Sequence, residues 1–176
     1  MRILVIGRPA AGKTTFAKKI AGILDIPSIS MDDIYWKDGW RRPDQKQFLA
    51  DLNDILKSKS WVLDGNYLNT LPERIKYCDY VIYLDYATGI CLARFFKRTV
   101  KRLFKADKNL PKNIKYPYKK TVKFGFFVKK ILLFNFLYKK DMLSILKDLD
   151  KDKVFIISSH AQDSIYNTAL HRILKP

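Results

Sequence analysis

Apolar residues follow two rhythms along this chain of 176 residues. Short apolar runs lie at 2–6, 61–63, 80–84 and 153–157, and 28–31 is a short strand candidate ending at Asp32 and Asp33. Runs of that length, without polar alternation, suit strands buried on both faces of a parallel sheet. Between them the spacing turns helical. In 14–24, Phe16, Ala17, Ile20, Ala21 and Leu24 share one side, and Pro27 closes the segment. In 44–58 a Pro-Asp start precedes Phe48, Leu49, Leu52, Ile55 and Leu56. A short helix over 71–77 follows Thr70, and Thr88 can cap a helix running to about 104. The stretch 105–118 is polar and proline-bearing and predicts a mobile loop. Ile131, Phe134, Tyr138, Met142, Ile145 and Leu149 predict one long helix over 124–149, and 163–174 predicts a closing helix. Five strands separated by helices predict an α/β fold: an open five-stranded parallel sheet with helices on both faces. No internal repeat and no second core is visible, so residues 1–176 read as a single domain.

Composition narrows the class. Hydrophobic residues make up 48% and aromatic residues 14%, which excludes a disordered chain. No run is long enough to span a bilayer; the most apolar, 131–138, is flanked by lysine pairs. The N-terminal apolar stretch runs straight into a glycine turn and reads as a strand, not a signal peptide. Cys78 and Cys91 lie beside or inside apolar runs and read as core thiols in a reducing cytoplasm. The net charge of +17 is concentrated: residues 94–140 hold sixteen Lys and Arg against one acid, Asp107, and so carry +15. Such a segment implies an anionic partner, whether nucleotide phosphates, nucleic acid or an acidic membrane surface.

The chemistry begins at the first strand's end. Gly7-Arg8-Pro9-Ala10-Ala11-Gly12-Lys13-Thr14 fits G-x-x-x-x-G-K-[ST] at every fixed position. The glycines let backbone N–H groups turn inward around phosphates, and the following helix offers its N-terminal dipole. Lys13 would reach the β- and γ-phosphates, the Thr14 hydroxyl would ligate Mg²⁺, and Thr15 is placed for the α-phosphate. The motif sits between an apolar strand and a helix, the context it requires. ATP with Mg²⁺ is the expected ligand.

Acids stand at strand ends, where open α/β sheets bind ligands. Asp32 and Asp33 follow 28–31, and Asp64 follows 61–63. Either set could hold Mg²⁺ or orient an attacking hydroxyl, whereas helix capping explains Asp32 and Asp33 equally well. Asp64 is the expected second magnesium element. Asp85, after 80–84, is adequately explained by capping near Thr88. Arg94, Arg98 and Arg102 recur at spacing four and fall on one helix face. Arg94 and Arg98 are expected to clamp phosphoryl oxygens, with Arg102 on the surface. Arg74 could meet an anionic acceptor or be a solvated helix charge. Bases interleave with aromatics over 97–140, which permits either nucleic-acid stacking or packing of a helix on the sheet. His160 and His171 are isolated and show no metal-ligand spacing.

Four blocks of residues carry a resemblance. They are the loop 7–15; Ile26-Pro27 through Asp32-Asp33-Ile34-Tyr35-Trp36-Lys37 and Gly39-Trp40; Trp61-Val62-Leu63-Asp64-Gly65-Asn66-Tyr67; and Tyr83-Leu84-Asp85 followed by Arg94 and Arg98. On these the chain resembles the adenylate-kinase-like phosphate-loop (P-loop NTPase, Walker A) kinases, and more closely the bacterial DNA topology modulation (FlaR-like) proteins. The resemblance implies a three-layer sandwich with an acceptor region over 32–75 and a basic lid within 94–140. It places Arg94 and Arg98 on adenine and phosphates, and Ser159, His160, Ala161 and Gln162 beside adenine. It implies substrate contacts from Asp32, Asp33, Trp36, Asp64, Asn66, Tyr67 and Arg74. Arg8-Pro9-Ala10-Ala11 departs from the commoner glycine and serine and predicts a stiffer loop.

The leading expectation is a kinase that moves a phosphoryl group from ATP to a small, nucleotide-like acceptor. Lys13, Asp33, Arg94 and Arg98 are its expected catalytic residues, and Thr14 with Asp64 its metal ligands. An ATP-switched DNA-binding regulator and an ATPase without acceptor are the alternatives. Weak, salt-sensitive nucleic-acid binding follows from charge alone. Oligomeric state is left open.

Overall fold

A computed structural model describes residues 1–38, 41–104 (of 102–104 the backbone), 124–158, 171 and 173. Five strands, β1 (Arg2–Gly7), β2 (Ser28–Ser30), β3 (Trp61–Asp64), β4 (Tyr80–Leu84) and β5 (Val154–Ile157), form one sheet in the order β2-β3-β1-β4-β5. Every pairing is parallel, with Leu4 opposite Leu63 on one side and Val81 on the other. Parallel neighbours need crossovers, and helices supply them. They are α1 (Lys13–Leu24), α2 (Met31–Tyr35), α3 (Gln45–Lys57), α4 (Leu71–Tyr77), α5 (Thr88–Phe104), α6 (Phe124–Leu132) and α7 (Lys140–Lys147).

Side-chain alternation along the strands explains why the apolar runs are unbroken. Ile3 and Val5 of β1 join one core with Ile82, Leu84, Phe16, Ile20 and Phe95. Leu4 and Ile6 join another with Val81, Tyr83, Leu52, Leu71 and Phe134. Both faces of each central strand are therefore buried under helices, giving the three layers expected of an adenylate-kinase-like sandwich.

Two local readings are corrected by the structure. Asp32 and Asp33 do not cap α2; its N-cap is Ser30, and both acids lie in its first turn, where carboxylates favour the helix dipole. The long helix expected over 124–149 is interrupted. A π-helical turn, Asn135–Lys139, separates α6 from α7. Asp44 does cap α3, its carboxylate accepting from the Gln47 N–H at 3.3 Å. The segment 105–118, Ser159 to Gln162, Gly39, Trp40 and most of 163–174 lie outside the described residues.

Candidate functional site

The site is built at the carboxyl edge of the sheet, where β1 and β3 end side by side. Gly7 takes φ of 138°, and a side chain there would collide with the Leu84 carbonyl on β4. Only glycine allows the chain to turn that close to its neighbour. The loop then leads into α1 through Gly12, with φ of 94°. Lys13 arches back over the loop, and its ammonium donates to the carbonyls of Gly7 and Arg8, each at 3.1 Å. Partial burial lowers its pKa, while the Asp64 and Asp32 carboxylates work in the other direction. It stands where an anion held by the loop would meet it.

Thr14 faces β3. Its hydroxyl donates to Asp64 Oδ1 at 3.2 Å, and the Ser30 hydroxyl donates to the same oxygen at 3.3 Å. Asp64 is 4% exposed, and its Oδ2 has no hydrogen-bond partner among the described residues. Burial pushes its pKa up to about 6; Asp32 adds to the rise, and Lys13 with the Thr14 and Ser30 hydroxyls opposes it. A buried carboxylate oxygen without a partner is costly unless a cation or water meets it. The Thr14 hydroxyl and this oxygen suit a hard divalent cation such as Mg²⁺, which binds through few protein groups and keeps phosphate and water oxygens. Among the described residues no cluster of three or more His, Cys, Asp or Glu could hold a metal.

The turn after β3 is locked from two sides. The Asn66 side chain accepts from the Gly7 N–H at 3.0 Å and donates to the Gly7 carbonyl at 2.8 Å. Its amide thus pins β3's turn to the mouth of the phosphate loop. Gly65 has φ of 133°, and a Cβ there would lie 2.6 Å from the Met31 Cβ. Arg74, on α4, is 0% exposed. Its guanidinium donates to the carbonyls of Gly65 at 2.8 Å and Tyr67 at 3.1 Å, and also to that of Asn66. Burial lowers its pKa to about 10, so it stays charged at neutral pH. Arg74 is a bracket inside the turn and does not face solvent.

Asp32 is exposed and accepts from the Tyr67 hydroxyl at 2.7 Å. Burial first, then the Asp32 carboxylate, raises the Tyr67 pKa, so the phenol remains a donor. Tyr35, Trp36, Phe48 and Tyr67 meet ring to ring at 5.0–6.2 Å and wall the region beside the two acids. Asp33 and Trp36 are half-buried there.

Arg94 lies against the loop from the other side. It donates to the Ala11 carbonyl at 2.7 Å, and its guanidinium stacks 4.6 Å from the Tyr86 ring centre. Arg98 sits further along α5, 5.9 Å from the Phe95 ring centre. Thr15 is exposed. Lys13, Thr14, Asp64, Asn66 and Arg94 thus meet at the loop, and Asp32 and Tyr67 pair beside it.

Sequence reading missed a second anchor. Arg8, only 2% exposed, points away from the loop's interior. Its guanidinium donates to the Thr88 hydroxyl at 2.9 Å, the Ile131 carbonyl at 2.9 Å and the Asn135 side chain at 2.6 Å. It lies 5.1 Å from the Phe134 ring centre, and its Nε has no partner among the described residues. Arg8 therefore ties the loop to the start of α5 and to the π-turn. Asp85, read as a cap, pairs with Lys139 on that turn at 2.7 Å. The signal available was Asn135, the one polar residue within the apolar run 131–138.

No protein-family model and no curated protein matches the chain. Solved structures do. A gluconokinase from Sinorhizobium meliloti 1021 aligns with a TM-score of 0.53 and 15% identity, over 99% of this chain and 91% of its own. A shikimate kinase from Bacteroides thetaiotaomicron aligns at 0.56 and 12%, over 99% and 98%. At such identities the likeness speaks for the fold, and over nearly its whole length this chain has the α/β fold of phosphate-loop kinases.

Proposed function

We propose that this protein is an ATP-dependent phosphotransferase acting on a small acceptor, with Mg²⁺ as its metal. The observation that carries the reading is the Lys13, Thr14 and Asp64 arrangement: a cation across the loop, and a hydroxyl on a buried carboxylate with one oxygen unmatched. The loop's inward N–H groups and the start of α1 would hold the phosphates. Thr14 and Asp64 would hold the metal, which when bound neutralises charge building on the transferred group. Lys13 would leave the Gly7 and Arg8 carbonyls for the β- and γ-phosphates, and Arg94 would meet the same charge from α5.

The acceptor would lie between the loop and the aromatic wall. Asp33 would take or orient its hydroxyl proton, with Trp36, Asp32 and Tyr67 lining its seat. Asn66 and Arg74 serve this site by fixing the turn that carries Asp64. Arg98 and residues 159–162 are proposed for the adenine side. The closer likeness to the DNA topology modulation proteins rests on Trp36 to Trp40 and on Trp61 to Tyr67, and a part in DNA topology would rest on that likeness and on the basic charge of 94–140. Two free thiols, Cys78 and Cys91, fit a cytoplasmic setting.

The test is ATP-dependent phosphate transfer against nucleosides, nucleoside monophosphates and small polyols, with Lys13→Ala as the blank. A phosphorylated product that the variant fails to make supports the proposal. Transfer by the variant at the wild-type rate refutes it.

A further inference from the structure

We propose that the outward face of the helical arm formed by α6 and the π-turn docks the protein on an anionic lipid surface. This inference is independent of the kinase reading. The arm runs almost without break from Phe124 to Lys147. Its inward stripe is complete: Ile131, Phe134 and Met142 are each 0% exposed in the two cores. Phe126, Lys129, Leu132, Phe136, Leu137 and Lys140 lie off that stripe. All six are exposed, Phe136 at 85%. A helix apolar all round requires cover on both sides, and among the described residues the two cores cover only one.

The apolar area continues onto α5. Phe124 lies 5.4 Å from Phe96, which is itself exposed together with Val100. Large apolar patches of this kind mark a binding surface. The charge around it decides the occupant. Residues 124–140 contain four lysines and no acid; Lys139 is paired with Asp85, while Lys129 and Lys140 are exposed on the arm and Lys97 and Lys101 on α5. A second copy of the chain would bring the same lysines into contact and be repelled. Nucleic acid would find phenylalanines to stack on, but Val100, Leu132 and Leu137 present no ring to a base. An anionic bilayer matches both features: acyl chains take the Phe and Leu side chains, and head groups take the lysines, whose stems lie along the apolar surface.

The test is co-sedimentation of the full chain with phosphatidylcholine–phosphatidylglycerol vesicles and with phosphatidylcholine vesicles, at about 0.15 M salt. The protein is expected to pellet with the anionic vesicles and to stay in solution with the neutral ones. Phe126→Ser with Phe136→Ser should weaken vesicle binding by about tenfold or more, because binding scales with the apolar area inserted. Their exposed positions leave the core intact, and an unchanged thermal transition checks this. Lys129→Glu with Lys140→Glu should release the protein as well. Failure of the wild type to pellet, pelleting of both double variants like wild type, or binding to duplex DNA with none to vesicles would each overturn the proposal.

Discussion

The two walls of the phosphate loop are built on opposite terms. On the β3 side the turn 64–67 is closed within itself. Asn66 grips Gly7, Arg74 takes three carbonyls, and Asp64 accepts from two hydroxyls. On the other side the loop is held by an arm that is apolar on both faces and strongly basic. There Arg8 reaches three groups on α5 and the arm. The β3 wall leaves one oxygen of Asp64 for a cation, the Arg74 Nε also being without a partner among the described residues. The arm is an unfinished wall, joined to the loop through Arg8. Buried polar groups fix geometry only when nearly all are matched, so the β3 wall should set chemistry and the arm should tune it.

Four substitutions test that division. The largest effect belongs to Lys13→Ala, which should lower transfer by roughly a thousandfold or more, the scale of removing a preorganised charge from the transition state. Single-turnover rates with unchanged folding would check it. Arg74→Ala comes next. It strips one buried and two half-buried carbonyls of their donor and should destabilise the fold by about 3 kcal/mol, read by denaturant unfolding; a loss under about 0.5 kcal/mol would mean that the bracket is ornamental.

Arg8→Ala should cost about 1–2 kcal/mol of stability and raise the KM for ATP more than it lowers kcat. Asn135→Ala should reproduce the KM effect in weaker form. If Arg8→Ala lowered kcat as strongly as Lys13→Ala, the two walls would not differ in the way described.

The smallest effect is one of pH. The folded-state pKa of Asp64 is raised from 3.8 to about 6. Between those values the native protein holds a proton that the unfolded chain has released, so stability falls as pH rises through that window and stays reduced above it. Thermal melts without nucleotide or metal should therefore show a decline from about pH 4 to pH 6. Asp64→Asn should flatten that decline. A decline of the same size in the variant would assign it to other groups.

Much of the fold was readable because its signals are local. Apolar runs gave four of the five strands and the short stretch before Asp32 gave β2, and a strand, a glycine loop and a helix in direct succession gave the phosphate loop. Readings failed where partners are distant or where a residue departs from its usual environment. Arg74 stood as a surface or acceptor-facing charge because arginine is almost never fully buried; only the fold shows three carbonyls converging on it. Arg8 and Asn135 lie 127 positions apart, and no spacing rule links them. The π-turn was invisible because the apolar stripe from Ile131 to Leu149 keeps helical spacing straight through it. Capping looked as good a reading as function for Asp32 and Asp33 since sequence alone does not reveal that the helix already begins at Met31, after Ser30.

The central claim is that Lys13, Thr14 and Asp64 form a Mg²⁺–ATP site. Calorimetric titration of ATP, with and without Mg²⁺, into the wild type, Lys13→Ala and Asp64→Asn tests it most directly. The account predicts that Mg²⁺ tightens ATP binding to the wild type, that Lys13→Ala binds poorly in both conditions, and that Asp64→Asn loses the Mg²⁺ dependence. Equal binding of ATP by all three proteins, with or without Mg²⁺, would contradict it.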